Sequence, residues 1–454
     1  MKMYDTPQAV EKYLNVPLEC SCGRTHYAPI KAVKVGKGAL DSLPGYVRDF
    51  GYSKPYMICD KITYQVAGER CEQLLKAAGF DTKVLIIKHM GFDEATLGEI
   101  VINKPDDCDL MIGVGTGSIT DMLRYSSFKL GLPCFTICTG APMDGFSASV
   151  GIMNVDNLKA TMPAHSTELI IGDTDVLAGA PYRMTIAGFA DLIGKLSALT
   201  DWRVAVLANG DHYCRQMDEL VSDYVYDIMG KTERLKNRDP EAVGDVMNAL
   251  LLTGAVISLY GNSRPISGAE HHMSHYWEVI GDQQGKPFAM HGEQVAVGTV
   301  LALMREKKLS ELNVDFDHAR RVAARYDQAE WEREIQRVYG SASGAIIALE
   351  KTAKKNSVPE KLERIDRIEK NWAEIRKCLA DCYSWEKLRS MLKDLGCPAD
   401  PADIGITAEI LMDTFLYCKE TRDRYTVYQL ACDLGVMEQL AREITEDLKA
   451  AGAV

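Results

Sequence analysis

The run Asp109-Leu110-Met111-Ile112-Gly113-Val114-Gly115-Thr116-Gly117-Ser118-Ile119-Thr120-Asp121-Met122-Leu123-Arg124-Tyr125 decides how this chain is read. Leu110 to Val114 reads as a buried strand, the glycines as a turn, and Ile119 to Tyr125 as the helix that follows. Glycine lets phosphate oxygens approach the backbone with no Cβ in the way, and the N–H groups opening a helix supply donors and a partial positive charge. A pyrophosphate fits such a turn. A tight strand-to-helix corner without a ligand fits it equally well. The spacing is GxGxG, not GxGxxG, and the turn follows the third strand candidate instead of the first, so the ordinary dinucleotide fingerprint fails and a variant site stays open.

Working outward, short apolar β-rich runs alternate with helical stretches from Ala32 to about Ile171, the pattern of parallel α/β units. The strand candidates are Tyr56 to Cys59, Lys83 to Ile87, Leu110 to Val114, Cys134 to Ile137 and Leu169 to Ile171. Val66 to Ala78 has helical spacing and stops at Gly79, as a crossover helix does. After Pro181 helical periodicity takes over to the end. The expected fold is an α/β N-terminal nucleotide-binding domain over residues 1–175 and an all-helical, metal- and substrate-binding domain over residues 176–454. Asp60, directly after the first of these strands, reads as a helix N-cap; from the same place a carboxylate can also meet an adenosine ribose and favour NAD over NADP.

The 454 residues, 46% apolar and 26% charged, suit two or three ordinary globular units. Their net charge of -12 disfavours nucleic acid and anionic membranes, which repel an acidic protein, and points to a small-molecule partner. Thirteen unevenly spaced cysteines read as reduced thiols in the cytoplasm. Met1 to Val16 lacks the apolar core of a signal peptide. The longest uncharged apolar run, Ala249 to Tyr260, falls short of the roughly 20 residues that span a bilayer and reads as a buried helix.

Four of nine histidines fall between His271 and His291. On a helix His271 and His275 project from one face, so two imidazoles can converge on one ion or one substrate. Glu270 precedes the first histidine, no HExxH exists, and a metalloprotease is not indicated. A metal held by histidines wants a carboxylate. Asp191, in an almost wholly apolar helical stretch, is costly to bury without compensation, which a metal or Lys195 one turn later can equally supply. His272 faces away and reads as a core or surface histidine, as do the isolated His26, His89, His165, His212 and His318. Cys20-Ser21-Cys22 with His26 makes half a zinc site with no fourth ligand evident, and is not counted as one.

Taken together, Gly113 to Asp121, Ala141-Pro142-Met143-Asp144-Gly145-Phe146, the helix from Asp191 to Trp202, Ser267 to His275, His291-Gly292-Glu293 and Arg424-Tyr425-Thr426 resemble the glycerol-1-phosphate dehydrogenases. These lie within the superfamily of iron-type alcohol dehydrogenases, glycerol dehydrogenases and dehydroquinate synthases, and the resemblance runs from about Cys20 to about Gly435. It implies that Asp191, His271 and His291 hold one divalent metal, nickel or zinc. It also implies that Gly115, Thr116, Gly117, Ser118 and Ile119 hold the pyrophosphate of NAD or NADP, that Thr139, Gly140, Ala141 and Pro142 line the nicotinamide side, and that Asp60 meets the ribose. Substrate contacts and catalysis fall to Asp144, Asp191 and His275.

The implied reaction is hydride transfer between NAD(P)H and dihydroxyacetone phosphate, giving sn-glycerol 1-phosphate for phospholipid synthesis, by a cytoplasmic homodimer or other homo-oligomer. Other polyol or alcohol dehydrogenases, a dehydroquinate synthase-like lyase and a noncatalytic metal-binding regulator are the competing readings. One departure stands out. The family often has a cofactor-touching serine four residues after the motif aspartate, whereas here that place is Ala148, flanked by Ser147 and Ser149.

Overall fold

The computed structural model describes residues 9–155, 158–286 and 288–454; of the Met1 to Val16 segment, residues 1–8 lie outside the described residues. Its strands are β1 (Leu18–Glu19), β2 (Thr25–His26), β3 (Ala32–Gly36), β4 (Pro55–Cys59), β5 (Lys83–Ile86), β6 (Leu110–Gly115), β7 (Cys134–Cys138), β8 (Val150–Val155), β9 (Leu158–Pro163) and β10 (Leu169–Asp173). Six of them form a parallel sheet in the order β3-β10-β7-β6-β4-β5. All five strands expected from the sequence are in it. The sixth, β3, lies at an edge, and its half-exposed pattern around Val33 leaves no apolar run to read. The antiparallel pairs β1–β2 and β8–β9 were likewise not expected.

Period-two alternation buries both faces of the sheet, as parallel sheets require. Met57, Cys59, Leu110, Ile112, Val114, Phe135 and Ile137 join one apolar cluster, while Tyr56, Ile58, Met111 and Cys134 join another. The expected crossover after β4 is composite: a short turn of helix Lys61–Thr63, a π-helical turn Tyr64–Gly68 and helix Glu69–Ala77, ending before Gly79 at φ +87°. From β4 the chain steps to β5 on one side, and β6 then pairs on the other. Such a reversal of strand order opens a crevice at the carboxyl ends of the strands, where open α/β sheets take their ligands.

The chain divides into two compact units, Met1–Leu192 with Leu220–Asn262, and Ile193–Glu219 with Ser263–Val454. After Pro181 no strand occurs among the described residues. Helix Pro240–Tyr260 is long and apolar enough to cross a membrane by length and composition, yet its Val246, Leu250, Leu252 and Val256 are fully buried in the protein. It belongs to the first unit's core and serves a loop that matters below. The segment from Thr139 to Ser147 after β7 lies against two helices, Tyr182–Ile193 and Pro240–Tyr260, at their glycines. A methyl group at Gly188 would run into the Ala141 carbonyl, and one at Gly254 into the Asp144 carbonyl and the Ser147 hydroxyl.

Gly254→Ala should therefore destabilise the protein by about 1–3 kcal/mol through overpacking. Denaturant melts compared with the natural protein check this, and an unchanged midpoint would show that the loop does not rest on that helix.

Candidate active site

Three of the expected cofactor segments end neighbouring strands at the same edge of the sheet. Asp60 follows β4, Thr116 follows β6 and Thr139 follows β7, with the Thr139 N–H bonded to the Gly115 carbonyl at 3.1 Å. Helix Gly117–Leu130 starts without a side-chain cap, because Thr116 makes no capping hydrogen bond. The donors of its first turn, on Gly117, Ser118 and Ile119, thus receive no bond from the cap residue's side chain. That is the geometry that accepts a phosphate. Two of the glycines have a second reason to be there: Cβ atoms at Gly113 and Gly115 would meet Leu123 at 2.8 Å and Ile119 at 2.6 Å, so they also let the helix pack on the strand.

Asp60 is a helix cap. Its Oδ1 accepts the N–H groups of Ile62 at 2.7 Å and Thr63 at 2.9 Å, and Thr63 Oγ1 returns a bond from the Asp60 N–H at 3.0 Å. The loop after β7 is held from several sides. Buried Arg124 donates to the carbonyls of Gly145, Phe146 and Ala148 and pairs with Asp121. Ser147 donates to the Leu251 carbonyl at 2.7 Å and is turned into the core, while Ala148 is buried too. Ser147 therefore does not replace the missing family serine. The Asp144 N–H donates to Asp191 Oδ2 at 2.9 Å, and Asp191 is 0% exposed.

The histidines sit on two helices, Ala269–Gln283 and His291–Glu311. The ring centroids of His271, His275 and His291 stand 5.3–6.3 Å apart. Each ring is oriented by an acid. His271 Nδ1 lies 2.7 Å from Glu270 Oε1, His275 Nδ1 3.1 Å from Glu278 Oε2, and His291 Nδ1 3.3 Å from Glu278 Oε1. A carboxylate only accepts, so each Nδ1 donates to its acid. His271 and His291, on adjacent helices of the second unit, bring their ring centroids to 5.3 Å of one another. One carboxylate and two imidazoles suit a divalent transition metal and leave positions open for substrate.

Burial lowers the His275 imidazole to about 4 against the pull of Glu278, so the ring is neutral at neutral pH. His272 is fully buried with neither ring nitrogen hydrogen-bonded, and burial lowers it well below the ordinary range; it is a core histidine, as its position on the helix suggested. Arg264 donates to the Tyr425 carbonyl and pairs with Asp211. Glu278 escaped the sequence reading, and Glu270 entered it only as a misplaced metalloprotease acid. The available signal was spacing: Glu278 lies one helical turn after both Ser274 and His275.

Residues 34–181 match the family model of iron-containing alcohol dehydrogenase. A glycerol-1-phosphate dehydrogenase (NAD(P)+) of Halalkalibacterium halodurans is 29% identical over 372 residues, covering 78% of this chain and 93% of that one. One of Bacillus subtilis is 31% identical over 305 residues, 65% of this chain and 77% of its own. Among solved structures, a glycerol dehydrogenase from Schizosaccharomyces pombe superposes with a TM-score of 0.57 at 17% identity, covering 92% of each chain, and so shares the fold.

Because Glu270 aims the His271 ring, Glu270→Gln should weaken metal affinity roughly 10- to 100-fold, the usual cost of losing such an outer partner. Competition with a chromophoric chelator measures it; unaltered affinity would mean that His271 needs no such support.

Proposed function

The chain belongs to the glycerol-1-phosphate dehydrogenases, and from that premise we infer that it is an NAD(P)-dependent oxidoreductase interconverting dihydroxyacetone phosphate and sn-glycerol 1-phosphate. The observation that carries this reading is the trio of imidazoles His271, His275 and His291 on two adjacent helices, with His275 neutral. In this proposal Asp191, His271 and His291 hold one divalent ion, nickel or zinc. When bound, that ion supplies Lewis-acid polarisation of the substrate's C2 oxygen and the nicotinamide supplies or takes the hydride.

The chain's own residues do the rest. Gly115, Thr116, Gly117, Ser118 and Ile119 take the pyrophosphate at the uncapped helix start. Asp60, whose Oδ1 is committed to the helix cap, meets the ribose with its other oxygen. Thr139, Gly140, Ala141 and Pro142 line the nicotinamide side, and the bond from the Asp144 N–H to Asp191 keeps that loop and its Asp144 side chain in place for substrate. His275 exchanges a proton with the C2 oxygen through Nε2. As it takes the proton in the oxidation direction, the Nδ1 bond to Glu278 stabilises the imidazolium that forms. A neutral resting imidazole suits the oxidation direction; in reduction the ring first takes up a proton from solvent and then gives it to the C2 oxygen.

The proposal extends to a homo-oligomer, a homodimer in the first instance, working in the cytoplasm. The absence of a disulfide among the described cysteines supports the reducing compartment.

Chelation should abolish turnover of dihydroxyacetone phosphate with NADH, and added nickel or zinc should restore it. Full activity in a demonstrably metal-free sample, or equal turnover of unphosphorylated glycerol in the reverse direction, overturns the reading. His275→Ala should keep its bound metal while kcat falls roughly 100-fold or more, the contribution usual for general acid–base catalysis. Loss of metal from that variant reassigns His275 as a ligand.

A further inference from the structure

The basic stretch Lys419-Glu420-Thr421-Arg422-Asp423-Arg424 follows helix Ala408–Tyr417 and lies wholly within the second compact unit, as do His271, His275 and His291. Its course is fixed at both ends against the histidine-bearing helix Ala269–Gln283. Trp277 Nε1, past the middle of that helix, donates to Thr414 Oγ1 at 2.8 Å, while Arg424 Nη1 donates to the Ser267 carbonyl at 3.2 Å, just before the helix begins. The chain between these points therefore runs back along the helix, with the short helical turn Cys418–Thr421 packed on it. Arg422 comes alongside the turns that carry His271 and His275.

The backbone there is tied down by buried groups. Lys355 Nζ donates to the carbonyls of Lys419 and Arg422, the latter at 2.6 Å, and Arg424 Nη2 donates to Ser263 Oγ at 2.5 Å. Fully buried Asp201 accepts the Ala269 N–H on one oxygen and the Val427 N–H on the other, both at 2.6 Å, so the start of the histidine helix and the chain after Arg424 hang on one carboxylate. The neighbouring cations are already committed. Arg264 pairs with Asp211 and donates to the Tyr425 carbonyl, Arg424 is held by Ser263 and Ser267, and Lys355 and Lys419 are buried against Glu420. Arg422 differs: it is exposed, and its guanidinium makes no hydrogen bond or ion pair among the described residues. Burial lowers the imidazoles of both His272 and His275, and the positive charge of Arg422 lowers each further, as a charge close by does.

We propose that Arg422 binds the phosphate of the substrate and so selects the phosphate ester over the free polyol. The proposal rests on the reading that His275 exchanges a proton with the C2 oxygen of dihydroxyacetone phosphate. In that molecule only a methylene group and an ester oxygen separate C2 from the phosphorus, so the group that binds the phosphate must stand close to His275. A guanidinium suits the task, because it stays charged and its planar fork gives two parallel N–H···O bonds to a phosphate. Arg422 has no existing partner to give up on binding.

The test compares the full-length natural protein with Arg422→Ala, both supplied with nickel or zinc, in the reduction of dihydroxyacetone phosphate by NADH. In the variant KM for dihydroxyacetone phosphate should rise roughly 10- to 100-fold, the loss expected when charged hydrogen bonds to an anion are removed. Inorganic phosphate, as a competitive inhibitor against that substrate, should weaken by a similar factor. The fall in kcat should be smaller than the rise in KM, and KM for NADH should hold. Arg422→Lys, which keeps the charge without the fork, should lie between the two. An unchanged KM for dihydroxyacetone phosphate, a rise in KM for NADH alone or a fall in kcat alone overturns the proposal. Should Arg422→Ala fail to fold, Arg422→Gln is measured in its place. Absence of turnover by the natural protein defeats the functional reading and this proposal with it, whereas turnover with an unaltered KM in the variant defeats the role of Arg422 and leaves that reading standing.

Discussion

A carboxylate that water does not reach sets the terms for the catalytic half of this protein. Burying an ionised carboxylate costs several kcal/mol unless charge and hydrogen bonds answer it. Asp191 is answered in part by the Asp144 N–H. The same carboxylate that is proposed to hold a cation therefore also fixes the loop carrying Asp144. Arg124, Gly188 and Gly254 serve that loop from other directions, by donating to its carbonyls or by leaving room for its backbone.

Four of the imidazoles follow one rule. Glu270 and Glu278 accept from Nδ1 of His271, His275 and His291, and the Leu259 carbonyl accepts from Nδ1 of His26. An imidazole whose Nδ1 is committed offers Nε2 as a directed lone pair. The partner then differentiates the roles. Negatively charged acids can support a ring that gains positive charge during turnover, whereas a neutral carbonyl suffices for one that only holds its direction.

The glycine turn illustrates how one residue type meets two demands. Gly113 and Gly115 allow Leu123 and Ile119 to close onto the strand, which is packing and would be needed without any ligand. The uncapped start of the helix is the feature that packing does not require. Its place at the carboxyl end of β6, beside the reversal in strand order at β4, is where open α/β sheets take their ligands, although β6 is an internal strand and not the first.

From the sequence alone came the parallel strands, the helical remainder and the buried helix at Ala249 to Tyr260, because burial periodicity and turn chemistry are local properties of a chain. The edge strand β3 and the short antiparallel pairs escaped, since half-exposed or two-residue strands leave no run to detect. Local sequence could not find the Asp144 N–H that donates to buried Asp191, nor the Arg124 guanidinium that holds the carbonyls of the loop after β7. Those are convergences of side chains far apart along the chain, and only the packing of helices and sheet decides which distant donors come within a few ångströms of one another.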